Sequence, residues 1–183
     1  MNKKEQIIEA AIVLFGTHGF EKTSISAICE KSNVSKGLVF HHFKNKNELL
    51  REVFMRMTHI ISEVNSSIDH SLPAKERLAQ LIENIFEAMA SDKHQTFYRL
   101  NYQVVTQPAI RSILIDLIED RTKLMLDVFE SIFNEIPGTD SFVSSRMIVA
   151  EIDGIALNYV FARDSFPLCS VKNAFIKKYL SLL

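Results

Sequence analysis

Apolar residues recur at steps of three and four along almost the whole chain. The clearest stripe lies in the second quarter of the sequence and consists of Leu49, Leu50, Val53, Phe54, Met57, Ile60, Ile61, Val64 and Ile68. Such steps place side chains on one face of an α-helix. Sustained alternation with a period of two, which is typical of strands, is not found. The pattern therefore predicts an all-α protein of about nine helices.

Capping residues and helix breakers set the limits of these helices. The first helix ends near Gly19, and two short helices follow at about residues 24–32 and 35–43. Asn45 and Glu48 fit a capping box that opens the long fourth helix. Five more helices begin near Pro73, Asp92, Pro108, Asp140 and Pro167.

The two short helices have the proportions of a helix-turn-helix. Neither can bury a core alone, so apolar side chains should pack them against the first helix. These side chains are Ile25, Ile28, Val34, Val39 and Phe43. The second short helix keeps an exposed face made of Lys36, Gly37, Leu38, His41 and His42. Such a helix fits a DNA major groove about 12 Å wide, with its N-terminal residues nearest the bases.

Groups suited to phosphate surround this second helix. The hydroxyls of Thr23, Ser24 and Ser35 lie at predicted helix starts, where free amides and the helix dipole favour anions. Gly37 allows the backbone to approach a groove closely. Further suitable groups are Lys36, Lys46 and His42. The residues alone leave open a second interpretation, in which all of these are ordinary capping and solvent-facing residues.

The charge distribution changes along the chain. Net charge is −1 overall, but residues 1–47 carry seven lysines and four glutamates, and the remainder is acidic. A basic N-terminal part on an acidic body is expected where only that part approaches a polyphosphate.

The N-terminal motifs resemble those of the tetracycline-repressor (TetR) family of transcriptional regulators. The matching elements are Leu14-Phe15, Gly19-Phe20, Thr23-Ser24, Val34 to Gly37, Phe40 to Phe43 and Lys46 to Leu50. This resemblance implies a DNA-binding domain over residues 1–47 and an effector-binding and dimerisation domain over 48–183. It also implies DNA contacts at Thr23, Ser24, Ser35, Lys36, Gly37, Leu38, Phe40, His41, His42 and Lys46.

Three positions of the second short helix depart from the family pattern. Leu38 stands where threonine is frequent, and His41 stands where a second aromatic residue is frequent. Phe40 replaces a tyrosine whose hydroxyl commonly reaches the DNA backbone, so it would offer packing or thymine-methyl contact instead. We expect these positions to set the operator preference of this chain.

The resemblance also implies that the body forms a homodimer through its last two helices. One short recognition helix contacts few base pairs. We therefore expect a palindromic operator and a dimer whose two DNA-binding domains lie roughly 34 Å apart. Candidate interface residues surround Gly154 and are Met147, Ile148, Ile152, Ile155, Ala156, Tyr159 and Val160. The alternative is that they form intramolecular core.

Polar residues within apolar stripes of the body are candidates for an effector site. They are Tyr98, Asn101, Tyr102, Arg121 and Asn158. Abundant phenylalanine and methionine would suit a lipophilic effector. Arg121 has an alternative role, because it could pair with Glu151 or Asp153 as a structural bridge. A repressor released by a small molecule is the predicted function, and a DNA-binding factor without such control remains an alternative.

Other classes of function have little support in the sequence. No phosphate-binding glycine loop, nucleophile elbow or zinc-protease motif occurs, so no enzyme activity and no cofactor are expected. The six histidines and two cysteines lack metal-ligand spacing, which makes a metal-responsive regulator the weaker alternative. Neither a signal peptide nor a run of about 18 apolar residues is recognisable, so a cytoplasmic location without membrane insertion is expected.

Overall fold

The computed structural model describes residues 2–66 and 68–181, and these residues form nine helices and no strand. The helices are α1 (Lys3–His18), α2 (Ile25–Ser32), α3 (Lys36–His42), α4 (Lys46–Ser66), α5 (Ala74–Ala90), α6 (Asp92–Thr106), α7 (Pro108–Phe133), α8 (Ser141–Phe161) and α9 (Leu168–Ser181). The predicted all-α class and the number of helices are confirmed.

Side-chain caps explain several of the helix starts. Asn2, Ser24, Ser35 and Asp140 each accept a hydrogen bond from a backbone N–H of the first turn that follows. At the start of α4, Asn45 Oδ1 accepts from the Glu48 amide at 2.9 Å, and the Glu48 carboxylate accepts from the Lys44 amide at 2.6 Å. The predicted capping box is therefore present, with the carboxylate reaching one residue further back than the usual pattern.

The chain divides into two compact units. Unit 1 comprises residues 1–59 and 96–118, and unit 2 comprises residues 60–95 and 119–183. Unit 1 thus contains the N-terminal helices, the first part of α4, most of α6 and the first part of α7. The predicted functional boundary after residue 47 lies inside this unit and stays a prediction about function.

The core of unit 1 holds α2 and α3 against α1. Ile7, Phe15, Ile28, Val39 and Phe43 are almost completely buried, and the rings of Phe15 and Phe20 meet edge to face at 5.2 Å. Ile25 and Val34, which were also predicted to be core residues, are only half-buried. The burial of one full side chain of this kind contributes about 1.5–3 kcal/mol.

In unit 2, α5 packs on α9, and the aromatic residues of both helices meet. Phe86 lies 5.6 Å from Phe175, measured between ring centres, and Phe175 lies 4.8 Å from Tyr179. Arg77 of α5 forms an ion pair with Glu135 beyond the end of α7.

The apolar stripe predicted for α4 is buried at Leu49, Leu50, Val53, Phe54 and Ile68. The side chains of Met57, Ile60, Ile61 and Val64 lie outside the described residues.

Candidate nucleic-acid interface

The turn between α2 and α3 has the geometry of a tight helix-turn-helix connection. Asn33 adopts a left-handed conformation with φ 50°, which asparagine tolerates better than most residues. The amide of Asn33 donates to carbonyl oxygens in the last turn of α2, and the Val34 amide donates to the Cys29 carbonyl at 3.1 Å. The chain then reaches Ser35, whose hydroxyl accepts from the Leu38 amide at 3.2 Å and begins α3.

Helix α3 has one buried side and one exposed side. Val39 and Phe43 are buried and anchor the helix, whereas Lys36, Gly37 and His41 are exposed. Gly37 and His41 are one helical turn apart, so with Lys36 they form a continuous exposed face of α3.

The remaining α3 residues that were predicted to contact DNA differ in accessibility. Phe40 is 43% exposed, and the Lys36 ammonium lies 5.9 Å from the centre of its ring. Leu38 and His42 are half-buried. The His42 ring lies between those of His41 and Phe43, with centre-to-centre distances of 5.1 and 6.2 Å. Phe40 and His41 are therefore better placed to meet a DNA base than Leu38.

Gly37 lies at the open end of this face. A Cβ added there would meet only the Ser35 hydroxyl oxygen, at 3.9 Å. Its backbone has an ordinary helical conformation, so the fold does not require glycine at this position. The absence of a side chain is therefore useful for a close approach from outside.

Thr23, which was predicted to present its hydroxyl to phosphate, is buried. Its hydroxyl donates to the carbonyl oxygens of Gly19 at 2.8 Å and Leu14 at 3.2 Å, so it joins the end of α1 to the start of α2. Ser24, the next residue, is exposed and is the N-cap of α2, with its hydroxyl accepting from the Ala27 amide at 3.1 Å. The sequence could not distinguish two adjacent hydroxyls, because only the register of α2 decides which one faces inward.

Lys46 also has a structural role that the sequence did not indicate. Its ammonium donates to the carbonyl oxygens of Phe20 at 2.9 Å, Thr23 at 3.2 Å and Glu21 at 3.4 Å. The same ammonium lies 4.3 Å from the centre of the Phe20 ring. All three ammonium protons thus have acceptors within the protein, and the side chain joins the start of α4 to the turn before α2.

The five predicted effector residues fall in different units. Tyr98, Asn101 and Tyr102 lie on the part of α6 that belongs to unit 1, where Asn101 Oδ1 is buried without a hydrogen-bond partner. Arg121 lies in unit 2, and its charge opposes the rise that desolvation causes in the pKa of the Asp153 carboxyl. This electrostatic attraction favours the alternative structural role of Arg121. Asn158 is exposed and donates to the Gly154 carbonyl of its own helix at 2.7 Å.

Helix α8 presents two apolar faces. Ile148, Ile152, Ala156 and Tyr159, four of the predicted interface residues, are buried within the chain, so for them the intramolecular alternative is correct. They form one side of the helix. The opposite side carries a second apolar stripe at steps of three and four, which is exposed at Val143, Met147, Ala150, Leu157 and Phe161 and half-buried at Gly154. We call these six residues the α8 stripe; of them, the prediction included only Met147 and Gly154.

The exposed recognition face of α3, held by a capped tight turn on a three-helix core, defines a helix-turn-helix DNA-binding protein. Residues 7–53 match the sequence profile of the family described as bacterial regulatory proteins, tetR family. The N-terminal part of the chain thus carries the DNA-binding segment of this family, and the protein is a DNA-binding transcriptional regulator.

The similarity to individual regulators extends over the whole chain. The fatty acid metabolism regulator protein of Bacillus subtilis is 26% identical over 98% of this chain and 94% of its own length. A crystal structure of the regulator FadR from Bacillus subtilis with stearoyl-CoA has a TM-score of 0.81 at 23% identity, covering 98% of both chains. The fatty acid degradation regulator FadR of Bacillus halodurans has a TM-score of 0.82 at 19% identity, covering 98% of this chain and 95% of that one.

Proposed function

We propose that this protein is a dimeric repressor that binds a palindromic operator through α3 and leaves it when a small effector binds. The proposal that α3 binds the operator is supported by the exposed face of this helix around Gly37. Phosphate contacts are assigned to Ser24, Ser35 and Lys36, which are exposed at the starts of α2 and α3. Base contacts are assigned to Gly37, Phe40 and His41, with Leu38 and His42 supporting the helix from its half-buried edge.

The α8 stripe supports the dimer. An apolar helix face is stable in water when another surface covers it. Apart from the backbone of its own helix, no atom of the described residues lies within 4 Å of a Cβ added at Gly154, so the middle of the stripe has room for a partner helix. A second α8 could approach closely there, and two copies would then present two recognition helices to the two half-sites of one operator.

The effector is proposed to be a long-chain acyl-CoA or a related acyl compound. This class is supported by the similarity to a fatty acid metabolism regulator and to a FadR structure that contains stearoyl-CoA. On this chain, the buried Asn101 Oδ1 without a partner is a free acceptor on α6. An unpaired buried acceptor costs about 1–3 kcal/mol, and a ligand that donates a hydrogen bond to it would recover this energy.

Regulation rather than catalysis is the proposed role of the body. Two relatives that match 98% and 90% of this chain are described as regulators. Within the described residues, no helix is long and apolar enough to cross a membrane. No group of three or more candidate metal ligands lies together in that part of the chain.

The DNA-binding face is tested with an operator selected from random DNA by the full-length protein. Gly37→Leu should abolish detectable binding to this operator, because the added side chain projects into open space and would hold α3 away from the groove. The helical circular dichroism signal should stay at the wild-type level. Glu83→Leu, an equivalent change at an exposed position of α5, is the matched control. Full binding by Gly37→Leu would contradict the assignment of α3.

The effector class is tested on the same operator complex. Stearoyl-CoA should raise the melting temperature of the free protein and weaken operator binding. Coenzyme A without an acyl chain is the control. If stearoyl-CoA changes neither quantity, the proposed effector class is wrong, and the alternative of a regulator without small-molecule control gains weight.

A further inference from the structure

Helix α6 lies unusually close to the end of α1 at Gly16. A Cβ built on Gly16 would lie 2.2 Å from Thr96 Cγ2 and 2.8 Å from the Thr96 carbonyl oxygen. Both distances are well below ordinary van der Waals contact, and one of them involves backbone that cannot rotate away. Gly16 therefore allows the backbones of α1 and α6 to meet.

Seven residues further along α6, Gln103 makes a second contact with the same part of the chain. Its amide nitrogen donates to the Phe15 carbonyl at 3.1 Å, and its amide oxygen accepts from the Phe20 amide at 3.4 Å. A Cβ built on Gly19 would lie 3.6 Å from this oxygen. Residues seven apart share one face of a helix and are separated by about 10 Å, so α6 meets the end of α1 at two places.

The segment that Gln103 holds leads directly into the DNA-binding helices. Phe20 is followed by Thr23, whose hydroxyl bonds close the turn back onto α1, and by Ser24, the N-cap of α2. The Phe20 carbonyl also accepts from Lys46 at the start of α4. A shift of Gln103 would therefore act on a segment whose other bonds fix the start of α2.

We propose that Gln103 is a positioning residue that couples α6 to the helix-turn-helix through Phe15 and Phe20. Movement of α6 is transmitted to α2 and α3 through this side chain. Because Tyr98, Asn101 and Tyr102 lie on the same helix, an effector that contacts them would act on the DNA-binding helices by this route. This last step rests on the proposed function, whereas the positioning role does not.

The test compares wild type with Gln103→Met, which keeps the length of the side chain and removes both hydrogen bonds. Thr106→Val is the matched control, since Thr106 is exposed one turn away and its hydroxyl bonds only within α6. Operator affinity is measured by fluorescence anisotropy with and without stearoyl-CoA. Gly16→Ala is informative only in addition, because its clash with Thr96 threatens folding.

Gln103→Met should weaken ligand-free operator binding about three- to tenfold, the range for the loss of a modest hydrogen-bonded contact. For wild type, stearoyl-CoA should weaken operator binding by about 5–150-fold, the range for typical coupled sites. For Gln103→Met, this factor should be less than half of the wild-type factor. Thr106→Val should leave both quantities unchanged.

Two results separate failure of this inference from failure of the proposed effector. If wild type does not respond to stearoyl-CoA, the effector class is wrong, and the ligand-free affinities still decide the role of Gln103. If Gln103→Met only lowers the melting temperature, while ligand-free operator affinity equals that of wild type, Gln103 is purely structural and the inference is overturned.

Discussion

Arg51 of α4 and Asp116 of α7 form an ion pair with two parallel hydrogen bonds. The NH1 group lies 2.7 Å from one carboxylate oxygen, and the NH2 group lies 2.6 Å from the other. The NH1 group also donates to the Ile113 carbonyl at 2.8 Å. This planar arrangement fixes the first part of α4 to the first part of α7 inside unit 1.

The Arg51 pair predicts a change of stability at acidic pH. Hydrogen bonding to Arg51 lowers the pKa of Asp116 from 3.8 to about 2. A carboxyl with a depressed folded-state pKa stabilises the protein fully above its unfolded-state pKa. This contribution is therefore present above about pH 4 and is lost as the pH falls towards about 2.

An NMR titration of the Asp116 carboxyl measures this effect directly. Arg51→Met should return the pKa of Asp116 towards 3.8, because the guanidinium donors are removed. Asp69 is an internal reference, since its lowered pKa depends on Ser71 and should not respond to the change at Arg51. An Asp116 pKa that is the same in both proteins would show that the pair does not form in solution.

The two roles considered for Lys46 predict different effects of Lys46→Ala. A phosphate contact would make the salt dependence of DNA binding shallower by about one counterion. The three carbonyl acceptors instead predict a loss of about 1–3 kcal/mol in unfolding free energy, with weaker DNA binding but an unchanged salt slope. We expect the second outcome, measured by chemical denaturation and by operator binding at several salt concentrations.

Lys36→Ala is the comparison for Lys46→Ala. The Lys36 side chain is exposed at the start of α3, so its removal should flatten the salt slope by about one and leave stability within about 0.5 kcal/mol. If Lys46→Ala behaves like Lys36→Ala, the ammonium leaves its carbonyl acceptors when DNA binds, and its role is that of a phosphate ligand.

Phe40→Tyr should strengthen operator binding. Phe40 is 43% exposed on the open face of α3, so a hydroxyl can be added without disturbing the core. The resemblance to the TetR family implies that a hydroxyl here reaches the DNA backbone, and one such bond corresponds to about 0.5–1.5 kcal/mol. Affinity should therefore rise about two- to tenfold, as measured by anisotropy.

Phe142→Tyr is a suitable control for Phe40→Tyr, because Phe142 is 56% exposed on α8 and far along the chain from α3. It should leave operator affinity unchanged. Unchanged or weaker binding by Phe40→Tyr would mean that the ring packs against the DNA in a way that leaves no room for the hydroxyl.

The local features of this fold follow from sequence patterns, whereas its long-range contacts do not. Caps at Ser24, Ser35 and Asn45 could be predicted because each uses an amide within three residues. The contact between Gln103 and Phe15 joins residues 88 positions apart, and glutamine at an ordinary helical position gives no signal of it.

For a related reason, the sequence did not separate the buried face of α8 from its exposed face. Both faces of this helix are apolar, so periodicity alone could not assign one to the core and the other to solvent. Burial of Ile148 and Ile152 decided the question. The stripe from Val143 to Phe161 is also present in the sequence, but its periodicity did not mark it as the face that stays exposed.

Gly154→Leu tests whether the α8 stripe is the dimer interface. The new side chain has open space in the single chain, and replacing glycine within a helix favours that helix by about 0.5–1 kcal/mol, so folding should be at least as stable as in wild type. In a dimer with closely packed α8 helices, two leucines would push the helices apart. Sedimentation equilibrium should therefore find a monomer. Operator affinity should fall at least about a hundredfold, because a single DNA-binding domain loses the contacts of one half-site.

Glu83→Leu adds the same side chain to an exposed position of α5 and should remain dimeric. A stable dimer of Gly154→Leu with wild-type operator affinity would place the interface on another surface.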